Sequence, residues 1–207
     1  EGLETKVKVK KRVVTTAMTT VIPSTHPPNY KVHGGVHLVP INGLARLQRP
    51  WKRYTVIGAG KTGLDALLHL IDQGVAPDNL RWLVSNDCWY FNREAFIKDG
   101  GLGGPTAVKA VLDAKDVTDL YHNYEKAEIF FRVDPDREPT KFRAATISPV
   151  ELEKIKTVKD IVRRGRVEEI TESKVIFLNG EELYTDEDTL YVDCSANGTL
   201  FTAPLQP

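Results

Sequence analysis

Apolar positions along the chain change period from segment to segment. Tyr54-Thr55-Val56-Ile57 is a short β-prone run, and Leu64, Leu67, Leu68 and Ile71 follow at i, i+3, i+4 and i+7, the stripe of a helix lying on a sheet. Gly74 stands where a C-terminal cap belongs, and Asn79 to Val84 reads as a second strand, completing a β-α-β unit of about 30 residues. From Arg166 the pattern returns to strands: Arg166 to Ile170, Lys174 to Leu178 with Asn179-Gly180 as a tight turn, then Thr189 to Val192. Upstream, the Val- and Thr-rich stretch from Lys6 to Val21 favours strands, which Pro23, Pro27 and Pro28 end. Residues 30–50 read as a connector with one short strand at Val36 to Val39. Gly101-Leu102-Gly103-Gly104 forms a junction before a helix opening at Pro105 and running to about Asp116, and Pro149 and Glu151 open another short helix.

The link between the first strand and its helix carries the chemistry. Gly58-Ala59-Gly60-Lys61-Thr62-Gly63 is a G-x-G-x-x-G turn in the context that gives such a turn meaning, after a strand and before an amphipathic helix. Gly58 permits the tight turn, Gly60 lets the backbone approach a pyrophosphate, and Gly63 lets helix and strand pack closely. Free N–H groups and the helix dipole then favour an anion. A nucleoside-triphosphate loop would need glycine five residues before Gly60, where Thr55 stands. The expected fold is α/β: a Rossmann-type, mainly parallel sheet with helices on both faces plus a small antiparallel β-meander.

The second strand ends Val84-Ser85-Asn86, with Asp87 one step late for a ribose 2′-hydroxyl. The lack of a carboxylate there, with Arg93 in the following loop, favours NADP over NAD. Trp89, Tyr90 and Phe91 read as core or as a flank for adenine.

Among 207 residues, 28 basic side chains balance 28 acidic ones, so no global field draws in nucleic acid or an anionic membrane. The basic run Lys6 to Arg12 is then a solvated strand with lysines guarding an edge. No apolar stretch approaches a membrane span and the first residues are too charged for a secretory signal, so a cytoplasmic location is expected. Cys88 and Cys194 lack metal-like spacing and suit a reducing compartment as thiols. His33 and His37 are separated by two glycines that oppose the helix a shared metal would need, so no metal is expected.

Three stretches resemble the flavin monooxygenase-like and pyridine nucleotide-disulfide reductase-like flavoproteins, which carry two dinucleotide-binding domains. Val56 to Ala66 looks like their NAD(P)H-binding fingerprint, and Asp87 to Arg93 is similar to the loop after the second strand in one branch. The meander from Arg166 that returns through Leu190 to Gly198 resembles their strand-hairpin-strand crossover, ending in a small-residue turn, Ser195-Ala196-Asn197-Gly198, near the cofactor. Ser24 to Pro28 looks like the linker leaving the FAD domain. The resemblance implies that residues 1–50 are strands and linker left from a neighbouring FAD-type domain, 51–200 an NAD(P)-binding domain with a helical insertion at about 101–160, and 201–207 a return linker. It further implies hydride delivery from NAD(P)H to FAD held elsewhere in the polypeptide, because no FAD fingerprint occurs in this chain. The chain reads as a fragment whose partners are the dinucleotide and that FAD domain, and no residue is assigned a catalytic role. A non-catalytic NAD(P)-sensing module and a nucleotide hydrolase remain as alternatives.

Overall fold

The structure is a computed structural model that describes residues 8–11, 27–185 and 188–195. Of the strands expected between Lys6 and Val21, only residues 8–11 fall within it, and they are irregular. The linker at Ser24 to Pro28 lies mostly outside the described residues.

In chain order the elements are β1 (Lys31–Val32), β2 (His37–Pro40), β3 (Arg53–Ile57), α1 (Lys61–Asp72), β4 (Leu80–Leu83), β5 (Cys88–Asn92), α2 (Arg93–Asp99), α3 (Pro105–Asp113) and α4 (Val117–Lys126). They continue with β6 (Phe130–Phe131), β7 (Lys141–Ile147), α5 (Pro149–Lys156), β8 (Asp160–Val162), β9 (Val167–Ile170), β10 (Lys174–Phe177), β11 (Glu182–Tyr184) and β12 (Thr189–Asp193). A five-stranded sheet in the order β2-β12-β3-β4-β8 forms the centre, and all four of its pairings are parallel. From β3 the chain moves outward through α1 to β4 and through α5 to β8, then returns by way of β9-β10-β11 to lay β12 on the other side of β3. The strand order therefore reverses between β3 and β12, the place where open α/β sheets bind ligands at the carboxyl ends of their strands. The expected α/β class is what the structure shows.

Alternation along the buried strands feeds two cores. Val56, Trp82, Leu190 and Val192 meet Leu64 and Leu67 of α1 and Ile155 of α5 on one face. Ile57, Leu83 and Tyr191 meet Ile170, Val175 and Phe177 of the meander on the other. β9 and β10 pair antiparallel, as do β10 and β11, and β1 joins them in parallel against β9. Helix α1 ends in a Schellman motif: Val75 N–H donates to Leu70 O at 3.0 Å and Gly74 N–H to Ile71 O at 2.9 Å, with Gly74 at φ +86°.

The connection from β4 to β8 differs from expectation. Instead of a helical insertion at about 101–160, it begins at β5 and includes a second sheet in the order β6-β5-β7 along with α2, α3 and α4. The helix opening at Pro105 stops at Asp113, and Asp116 caps a separate helix through Asp119 N–H at 2.8 Å. Trp89, Phe91, Ala107, Tyr124 and Phe130 form the insertion's own core. Residues 149–162 belong to the crossover helix α5 and strand β8 of the main sheet. Among the described residues no helix is long and apolar enough to cross a membrane.

Candidate functional site

The glycine turn leaves β3 at the order reversal, and its three glycines have three separate reasons to be glycine. Gly58 sits at φ +119°, and a Cβ there would lie 2.4 Å from the Cys194 carbonyl oxygen, so β12 and the turn abut through bare backbone. A Cβ on Gly63 would lie 2.1 Å from Gly58 O, which is the close strand–helix approach expected of the third glycine. A Cβ on Gly60 would meet nothing within 4 Å. The position expected to face a ligand is the one that opens outward.

The turn is braced from below and from the side. Trp82 Nε1 donates to Gly58 O at 2.8 Å, the buried Tyr90 hydroxyl donates to Ala59 O at 3.0 Å, and Cys194 N–H donates to Ile57 O at 2.9 Å. These bonds occupy the carbonyls of Gly58 and Ala59, and the Gly58 N–H donates to Leu83 O at 3.1 Å. Helix α1 begins at Gly60 with no side-chain cap and no acidic residue in its first turn. Every other α-helix start in the described residues is occupied by a side-chain acceptor. Asn92 accepts from Glu94 N–H and Asp99 from Thr106 N–H, while Asp116 accepts from Asp119 N–H and Ser148 from Glu151 N–H. The first amides of a helix have no intrahelical acceptor, so at α1 they remain available to an anion. Lys61 and Thr62 are half-buried at the rim, and Lys61 donates to Asp65 one turn on.

Across the reversal, Asp193 at the end of β12 gathers three donors on Oδ1: the Ser195 hydroxyl at 2.6 Å, Ser195 N–H at 3.1 Å and the Tyr30 hydroxyl at 3.1 Å. Ser195 thus borders the turn, but its hydroxyl proton is committed to Asp193. Ala196, Asn197 and Gly198 lie outside the described residues. Burial, reinforced by Asp193, pushes the Tyr30 hydroxyl and the Cys194 thiol well up, so neither ionises near neutral pH and Cys194 is no nucleophile.

At the end of β4, Ser85 and Asn86 are half-buried and hydrogen-bonded to each other at 3.3 Å. Asp87 is held by Arg163, whose Nε reaches both carboxylate oxygens at 3.0 and 3.1 Å while its Nη2 reaches Asp134 at 3.0 Å. Arg93 is not beside them. It stands at the far end of β5, a five-residue strand roughly 16 Å long, and pairs with Glu151 at 3.2 Å. The extended backbone carries it away, a displacement that a loop after the second strand would not have produced. Trp89, Tyr90 and Phe91 are each 2–3% exposed, so they are packing residues and offer no ring face to a ligand.

Sequence reasoning missed Trp82, Tyr90, Asp193 and Tyr30, whose work depends on partners 24 to 163 residues away. Two open clefts of about 710 and 540 Å³ lie at the opposite, amino-terminal end of the sheet around Arg49 and Trp51, away from the glycine turn. Among the described residues no group of three or more His, Cys, Asp or Glu is placed to hold a metal ion, and the His37 ring packs tilted against Trp51 with centroids 4.5 Å apart.

Fold and turn together define a Rossmann-like α/β domain with an outward-facing glycine turn at its order reversal. The chain is 36% identical over 213 residues to uncharacterized proteins of Mycobacterium bovis and of two strains of Mycobacterium tuberculosis. The alignment takes in all of this chain and 38% of theirs, so the chain spans well under half the length of the curated relatives it matches. No family model matches it.

Proposed function

We propose that the chain binds a nicotinamide dinucleotide, with the pyrophosphate on the amides that open α1, and that it serves as the NAD(P)H-binding part of a flavin-dependent oxidoreductase. One observation carries the binding half. The α1 start is the uncapped helix start among those described, and it is preceded by a glycine whose missing Cβ faces open space. NADP suits the neutral Ser85-Asn86 strand end, because the nearest carboxylate, Asp87, is already engaged by Arg163. The flavin half rests on the resemblance of Val56 to Ala66 and of the meander. On this reading the flavin is held by polypeptide outside this chain, in keeping with the lack of a second strand–glycine turn–helix unit among the described residues. A cytoplasmic setting is part of the same reading. The function of this chain's own residues is to fix the dinucleotide by its phosphates and hold it across the reversal.

The test is calorimetric titration with NADPH and NADH of the purified protein and of Gly60→Val. A side chain at Gly60 meets no protein atom, so the variant should keep its melting temperature while losing dinucleotide affinity at least about tenfold. Unchanged affinity in Gly60→Val would show that the turn is not where the dinucleotide sits.

A further inference from the structure

The insertion places a guanidinium near the end of β4 that the turn does not use. Sheet β6-β5-β7 has two differently employed faces. Cys88, Tyr90, Ala145 and Ile147 join the main core beside the glycine turn, whereas Trp89, Phe91 and Phe130 build the insertion's separate core. Along the β5–β7 pairing, Cys88 faces Lys141 and Trp89 faces Phe142, but the next pair is Phe91 with Thr146. Tyr90 therefore stands opposite three residues, Arg143, Ala144 and Ala145, and β7 bulges there. Ala144 adopts φ +53°, a left-handed conformation that side chains rarely take. Bulges of this kind re-aim side chains and gather next to functional sites.

The bulge lies close to the strand end in question. Thr140 N–H donates to Asp87 O at 3.2 Å, tying the entry of β7 to the loop that leaves β4. Arg143 stands in the bulge opposite Tyr90, two residues along β5 from Cys88, whose thiol donates to Asn86 O at 3.5 Å, and its charge opposes the burial that raises the Cys88 thiol. Of the other cations nearby, Arg163 is consumed by Asp87 and Asp134, and Lys141, opposite Cys88 on β7, precedes the bulge and offers an ammonium rather than a planar fork. Arg143 is exposed and has no hydrogen bond or ion pair among the described residues. A neutral strand end, a neighbouring carboxylate already neutralised, and a free guanidinium held up by a bulge form a complementary setting for a phosphate monoester.

We infer that Arg143, presented by the β7 bulge, reads the 2′-phosphate of NADP(H) beside Ser85 and Asn86. The inference rests on the dinucleotide reading and assigns its cofactor preference to a residue of the insertion. A guanidinium is suited to this because its planar fork matches phosphate oxygens, whereas Lys offers a point charge.

The experiment titrates NADPH, NADH, adenosine 2′,5′-bisphosphate and 5′-AMP into the protein, Arg143→Ala and Arg143→Lys at low and moderate salt. NADPH should bind the unmodified protein at least about tenfold more tightly than NADH, and the 2′,5′-bisphosphate should outbind 5′-AMP in the same sense. Arg143→Ala should bring NADPH down to the level of NADH while leaving NADH unchanged. Arg143→Lys should fall between and show a steeper loss with salt. An undiminished NADPH preference in Arg143→Ala overturns the role of Arg143 and leaves the dinucleotide site standing. Equal affinities in the unmodified protein overturn it likewise. If neither dinucleotide binds the unmodified protein, the dinucleotide reading itself falls and takes this inference with it.

Discussion

Gly60 and Gly63 differ by three positions and have opposite physical demands. At Gly60 the backbone has φ −85° and ψ −176°, an extended conformation open to any residue, and its side-chain space is empty, so Gly60→Ala should change stability by less than about 0.5 kcal/mol. At Gly63 a methyl group would be driven against the Gly58 carbonyl, a backbone atom fixed by the Trp82 indole. Alanine is a better helix former than glycine by about 1 kcal/mol, yet overpacking against fixed backbone costs about 1–3 kcal/mol and wins. Gly63→Ala should accordingly lower the free energy of unfolding, and urea titration of the two variants side by side checks the sign. Equal stability of the two would mean that strand and helix separate without penalty.

Helix α5 shows how an element protects the helix start that α1 leaves open. Ser148 accepts from Glu151 N–H at 3.2 Å and Glu151 accepts from Ser148 N–H at 2.7 Å, a closed capping box. Burial pushes the Glu151 carboxyl up, but the two Ser148 hydrogen bonds, helped by Arg93 and Lys61, outweigh it and hold the carboxyl below its ordinary range. A group with a depressed folded-state pKa contributes stability that is fully present above its unfolded pKa and lost as pH falls through the folded value. The stability difference between the protein and Glu151→Gln should therefore be present at neutral pH and shrink below about pH 4, as denaturant titrations at several pH values would show. Ser148→Ala should cost about 1 kcal/mol at neutral pH. A difference that grows on acidification would mean that the carboxylate does not cap this helix.

At the scale of the molecule, the described residues hold one strand–glycine turn–helix unit, in a chain that aligns with 38% of its relatives' length. A flavin dinucleotide needs a pyrophosphate turn of its own, and hydride transfer requires nicotinamide and flavin about 3–3.5 Å apart. The purified 207-residue chain should thus be colourless and leave NADPH unoxidised. Flavin absorbance near one equivalent in an absorption spectrum would overturn the assignment of the single turn to the nicotinamide dinucleotide. The insertion contributes at this scale too, because the Tyr90 hydroxyl on Ala59 O makes the turn's shape depend on a sheet built from residues far along the chain.

Local chemistry determined the strand–turn–helix unit from the sequence alone. Its apolar stripe, its glycines and the Gly74 cap each act within about one turn of their own position, so Tyr54 to Gly74 and the strands from Arg166 onward were legible without a fold. The insertion was not. β5 and β7 become strands by pairing across some 50 residues, and the bulge at Ala144 breaks the alternation that would have marked β7. Arg93, assigned to the nucleotide from its nearness in sequence, stands beyond β5 paired with Glu151, whereas Arg143 is brought opposite Tyr90 only by a parallel pairing. Short-range sterics and periodicity wrote the glycine turn into the sequence, and long-range strand pairing decided which charges stand around it.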